Sequence, residues 1–217
     1  MAYPTVDAPY GLKPINLIGG QVFAGATRQL VITASYATSI YYGDALTIVS
    51  GGTVEKDSGT STATPVGVFL GCQYISATTG QLTFSQYYPA SLAVKSGSVI
   101  QAFVADDPDQ LFKVVLVAGN TEDGNGLTPA FLGRTVIGTN AELVQNTGST
   151  VTGDSRVGVY TDGNTGTASL PIRIIDVVPD TANTSGNFCE LIVKFNAPNV
   201  TGQTVAGGHQ YLNPTGV

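Results

Sequence analysis

The feature that most limits what this chain can fold into is the spacing of its apolar residues, which recur at every second position and almost nowhere at helical intervals. In the run 66–74, Val66, Val68, Leu70, Cys72 and Tyr74 alternate with Gly67, Phe69, Gly71 and Gln73. Such spacing puts one apolar stripe on one face of a strand. Comparable runs fall at 29–33, 41–49, 99–104, 111–117, 156–160, 170–178 and 188–195, separated by Gly, Asn, Asp and Pro clusters such as 57–65 and 179–186, which form turns. Val, Ile and Thr fill these runs, and their stiff side chains suit a pleated surface. The expected fold is therefore all-β, a single β-sandwich or β-barrel, and the spacing leaves both open. One short helix is predicted at 128–133, with Thr128 as N-cap, Pro129 at the first helical position and Gly133 beyond its end.

The two ends differ from this middle. Residues 1–26 carry Pro4, Pro9 and Pro14 among glycines and isolated large apolar groups, with neither period. They read as an extended N-terminal arm that cannot build a sheet of its own. Either the segment is a disordered leader, or Tyr3, Tyr10, Leu12, Ile15 and Leu17 plug into a neighbouring chain and order there. Residues 27–196 form the β domain. The stretch 197–217 is an irregular C-terminal tail, a second arm or a frayed end.

Hydrophobic residues make up 42% of the chain and charged ones only 11%. A soluble monomer usually carries about twice that share of charge, so much of this exterior, built from Thr, Ser, Asn, Gln and Tyr, is expected to lie against other chains. The net charge is −6, and the nine Lys and Arg stand singly along the sequence. Neutralising phosphates requires clustered cations, so nucleic acid is not an expected partner. No apolar run approaches membrane-spanning length and the start lacks the pattern of a secretory signal, so no membrane partner is expected and the chain is expected to fold in a cytoplasm. Cys72 and Cys189 then read as small buried hydrophobes rather than a disulfide, and the sequons at Asn183 and Asn199 as chance matches.

Catalytic constellations fail one by one. Gly153-Asp-Ser-Arg156 resembles the opening of a GDSL-type hydrolase motif, with Ser155 as nucleophile. Such a serine needs a base held by a third group, yet the only His is His209, and Ala206 stands where that family has Asp. Val157 likewise stands where G-x-S-x-G needs its last Gly. One His and two distant Cys cannot make the usual zinc set, no phosphate-cradling loop is present, and residues 119–126 mimic a calcium loop without its alternating ligands. No catalytic residue, cofactor or metal is expected. The remaining candidate is the acidic stretch Asp106-Asp-Pro-Asp109, which sits between two strand runs. It is a turn whose carboxylates cap main-chain N–H groups, a calcium site, or an acid/base pair, and crowding of like charges favours pairing one of the three with a cation.

The order of "DAPYGLKPINLIGGQVFAG", "YYGDAL", "GVFLGC", "VADDPDQLFKV", "LTPAFLG", "LPIRIIDVVPD" and "CELIVKFN" resembles the head decoration, or capsid cement, proteins of tailed bacteriophages, especially those of phages of marine bacteria and cyanobacteria. The resemblance runs from Asp7 to Asn196, and the acidic turn followed by Leu111-Phe112 is its most specific part. It implies a non-enzymatic virion protein on the outer capsid surface, with the phage major capsid protein and further copies of itself, in a trimer, as partners. It would bridge capsomers and stabilise the expanded shell. On this reading Tyr3, Tyr10, Leu12, Ile15 and Leu17, together with Asp106, Asp107 and Asp109, are the expected capsid or protomer interface. A tail-fibre or glycan-binding β module of a virion is the rival reading. A major shell subunit would need a long spine helix, which the chain lacks.

Overall fold

The computed structural model describes residues 6, 8–119, 133–161, 168–182, 188–197 and 207–212. The chain is all-β, as the spacing demands. Among the described residues twelve strands run in chain order: β1 (Lys13–Leu17), β2 (Arg28–Val31), β3 (Ala45–Ile48), β4 (Val54–Lys56), β5 (Gly67–Ile75), β6 (Leu82–Ser85), β7 (Gln101–Ala105), β8 (Gln110–Val115), β9 (Asn140–Val144), β10 (Gly158–Tyr160), β11 (Ile172–Val177) and β12 (Glu190–Phe195). They form two antiparallel sheets and no closed barrel. The first has the order β1-β8-β12-β11-β9-β10; the second runs β2-β7-β5-β3-β4, with β6 added to the far end of β5. Single parallel bridges join Leu116, just past β8, to Val159 in β10, and Ile32, just past β2, to Val54 in β4.

Each sheet wraps its own core. The first holds Leu12, Phe112, Leu143, Ile172, Leu191 and Phe195; the second holds Ile32, Leu46, Phe69, Cys72, Tyr88 and Val104. Burying a side chain of this size contributes about 1.5–3 kcal/mol, so these two clusters carry most of the fold. Between them lies Asp44, fully buried, whose carboxylate accepts the Ser155 hydroxyl at 2.6 Å and the Tyr41 N–H at 2.8 Å and faces the Lys56 ammonium at 3.4 Å. Burial raises the Asp44 pKa against the pull of Lys56 and Ser155.

Two expectations change, and a third falls mostly outside the described residues. The alternation in β5 is not continuous: Phe69 pairs with Val104 and Cys72 with Ala102, a bulge that turns Phe69 into the core with Cys72. Gly71, at φ 128°, makes the bulge possible, because a Cβ there would stand 3.0 Å from the Ser85 carbonyl. The supposed arm contains β1, which pairs with β8, and Leu12, which has no exposure at all. Pro14 is tolerated because β1 is an edge strand, where one missing N–H disturbs no second neighbour. Thr128 to Leu132 of the expected helix lie outside the described residues, and Gly133 opens a single 3-10 turn, Gly133–Val136.

Candidate functional site: the acidic turn and its cleft

β7 ends at Ala105 and β8 begins at Gln110, and the acidic residues make the connection. Asp107 shapes it, its Oδ1 accepting the Asp109 N–H at 2.8 Å and its carbonyl the Gln110 N–H at 3.0 Å. The other two carboxylates leave in different directions. Asp106 receives the Arg28 guanidinium at 2.9 Å and the Tyr211 hydroxyl at 2.9 Å. Asp109 receives the Lys194 ammonium at 2.9 Å, while its carbonyl accepts the Ile18 N–H at 3.0 Å. The three carboxylates therefore do not converge, and two of them each have a cation. Among the described residues no group of three His, Cys, Asp or Glu side chains is placed to hold a metal ion.

A cleft of about 620 Å³ opens beside the turn, walled by Leu17, Val22, Phe23, Asp107, Pro108 and Tyr211. One wall is a tight hairpin after β1, closed by Leu17 N–H to the Gln21 carbonyl at 2.9 Å and by a bridge between Asn16 and Val22. The other comes from the tail. Residues 207–212 are docked: Gly208 N–H reaches the Ala63 carbonyl at 2.9 Å, His209 N–H the Asn196 carbonyl at 2.8 Å, and Gln210 N–H the Pro65 carbonyl at 2.8 Å. The Gln210 amide then pairs with both main-chain groups of Ile48, at 2.7 and 2.8 Å, as another strand would. Gly207 fits tightly, since a Cβ there would lie 2.2 Å from the Ser169 carbonyl.

His209 anchors this clip. Its ring is buried edge-on to Phe195, with centroids 6.0 Å apart, and next to Tyr211 at 5.4 Å. Nδ1 accepts the Tyr211 N–H at 3.2 Å, which leaves the proton on Nε2, buried beside the Asp106 main chain. Burial lowers its pKa to about 4, although Asp106 and Asp107 pull the other way. Tyr211 completes the contact, its ring under the Arg28 guanidinium at 5.2 Å.

The remaining expected interface residues scatter. Tyr3 lies outside the described residues. Leu12 is core, Ile15 and Leu17 are half-buried in β1, and only Leu17 reaches the cleft. Tyr10 turns inward: its hydroxyl donates to the buried Glu190, which also pairs with Lys113 at 2.9 Å, and Lys13 sits 4.5 Å over its ring. Desolvation, then Glu190, raises the Tyr10 pKa. Ser155 is buried with its hydroxyl donated to Asp44, so no substrate reaches it. Sequence reasoning did not join Arg28, Lys194, His209 and Tyr211 to the acidic turn, because Asp106 and Tyr211 stand 105 positions apart with no local pattern to link them. Compared with protein-family models, curated proteins and solved structures, the chain matches none.

Proposed function

We propose that this chain is a structural virion protein that binds the outer surface of a phage capsid and bridges neighbouring capsomers, stabilising the expanded shell as cement. The observation that carries this reading is the presence of two separate apolar surfaces on a chain poor in charge. One lies beside the acidic turn, where Val22 and Tyr211 are exposed at the cleft and Ile18 and Leu212 at a neighbouring groove with Ile137 and Ile175; the other lies on the second sheet, where Leu82, Phe84 and Val99 are exposed. Exposed apolar patches mark contact sites, and a bridging protein needs more than one. The acidic turn supports the reading as a scaffold: the Asp109 carbonyl holds the β1 hairpin at Ile18 and the Asp106 carboxylate holds the tail at Tyr211, and modest contacts at each patch add up through effective concentration. The resemblance of the sequence to decoration proteins points the same way.

The test is cosedimentation with purified expanded shells, alongside the copy number of the protein in virions. Binding near parity with the shell subunit, abolished by Ile18→Asp together with Leu212→Asp in a protein that still melts normally, is the expected result. Undiminished binding by that variant removes the surface around Ile18 and Leu212 from the mechanism, and trace abundance in virions favours the fibre reading instead. A truncation through Gly20 is not a clean test, because it deletes β1 and Leu12 from the fold.

A further inference from the structure

An antiparallel sheet with one face on the core normally turns polar residues outward on the other. The second sheet does not. Its outer face carries Val31, Ile75, Leu82, Phe84, Val99 and Phe103, with glutamines 29, 73 and 101 between them. Phe84 and Phe103 stack at 6.4 Å, yet Phe84 is still 65% exposed and Leu82 58%. Not one charged residue occurs from Ser58 to Val94 or in β7. β6 bounds this face and, among the described residues, pairs with β5 alone, which leaves its other edge without a strand there. Edge strands are usually guarded by a Lys, a Pro or a bulge, and Leu82-Thr-Phe-Ser85 has none of these.

We infer that β6 and the outer face of the second sheet are the contact surface for a second copy of this chain, joined by antiparallel β6 to β6 pairing about a two-fold axis. Charge chooses the occupant. Two chains of net charge −6 repel, and the strands β5, β6 and β7 carry no carboxylate; Asp154, whose Oδ1 accepts the Gln86 amide N–H at 3.2 Å, stands past the end of β6. The open edge is also self-complementary, since two identical strands related by a two-fold axis pair antiparallel. Directly opposed residues share a face. Of the registers that a two-fold axis allows, the one centred on Thr83 sets Leu82 of each copy against Phe84 of the other, so that every exposed apolar group of β6 meets an apolar partner. This inference does not rest on the virion reading; in a dimer joined at β6 the partner copy takes up the second apolar surface, and bridging falls to the surfaces beside the two acidic turns, one from each chain.

Sedimentation equilibrium of the full chain tests it across a wide range of protein concentration. The expected assembly has an even number of chains, the simplest being twice the 22.3 kDa monomer. Phe84→Glu and Leu82→Lys should each halve the mass, leave a cooperative unfolding transition, and remove the dependence of the melting temperature on protein concentration. Mixing the two variants should restore the doubled mass, because the new charges then face each other. A wild-type monomer or trimer overturns the inference, as does a mass that neither variant alters; mixed variants that stay apart overturn the register. A monomer that still binds shells would refute the second-copy contact and leave the cement reading standing.

Discussion

The two sheets of this molecule end differently. Beside β1, the first sheet is finished by its own chain: the hairpin after Leu17 folds over it, Lys194 and Arg28 neutralise the acidic turn, and the tail clips across to β3. Beside β6, the second sheet is left open, apolar and uncharged. The first arrangement spends many weak polar contacts on making one chain stable. The second withholds contacts from the monomer and keeps a surface for something else. The contrast teaches that low charge here is not spread evenly; it is concentrated where the chain does not cover itself.

If that division is right, damage at the first end should cost folding and damage at the second should not. The largest effect is expected from Leu12→Ala, about 3 kcal/mol lost in urea unfolding, because this side chain is core rather than a plug for a neighbour. A loss below about 0.5 kcal/mol would restore the arm and break the comparison. Next comes acid. His209 is held near 4 in the folded chain against 6.5 when free, so the unfolded state binds its proton first. The stability from the neutral ring is full above pH 6.5 and declines as pH falls toward 4. The facing groups are Asp106, Asp107 and Lys194, and His209→Phe should flatten that part of the melting-temperature profile. Tyr211→Phe removes one partly exposed hydroxyl from Asp106 and should cost about 0.5–1 kcal/mol. Lys194→Gln, at a largely exposed pair, should cost a few tenths of a kcal/mol. Smallest of all, Phe84→Ser should leave unfolding unchanged within about 0.5 kcal/mol.

The long strands were legible because their inward residues alternate: β5, β7, β8, β11 and β12 all fall on runs visible in the sequence. β4 is only three residues long, and β6 carries its large apolar groups outward, so its pattern contradicts the burial a reader assumes. β1 was hidden by Pro14 and by an edge position where most side chains are half-covered. At the acidic turn, the local chemistry of Asp107 and the need for a cation were readable from crowding alone. Which cation was not, since Arg28 and Lys194 arrive from strands distant in sequence, and a lone His in an aperiodic tail gives no hint that it is buried.

The two thiols have a practical consequence. Cys72 sits in the second core and Cys189 in the first, both free and shielded, and burial pushes their pKa up to about 12 and about 11. A thiolate is the reactive form, so the intact chain should resist alkylating reagents. Each cysteine is then a silent clock for one half of the molecule: the order in which they become labelled under mild denaturant reports which sheet opens first.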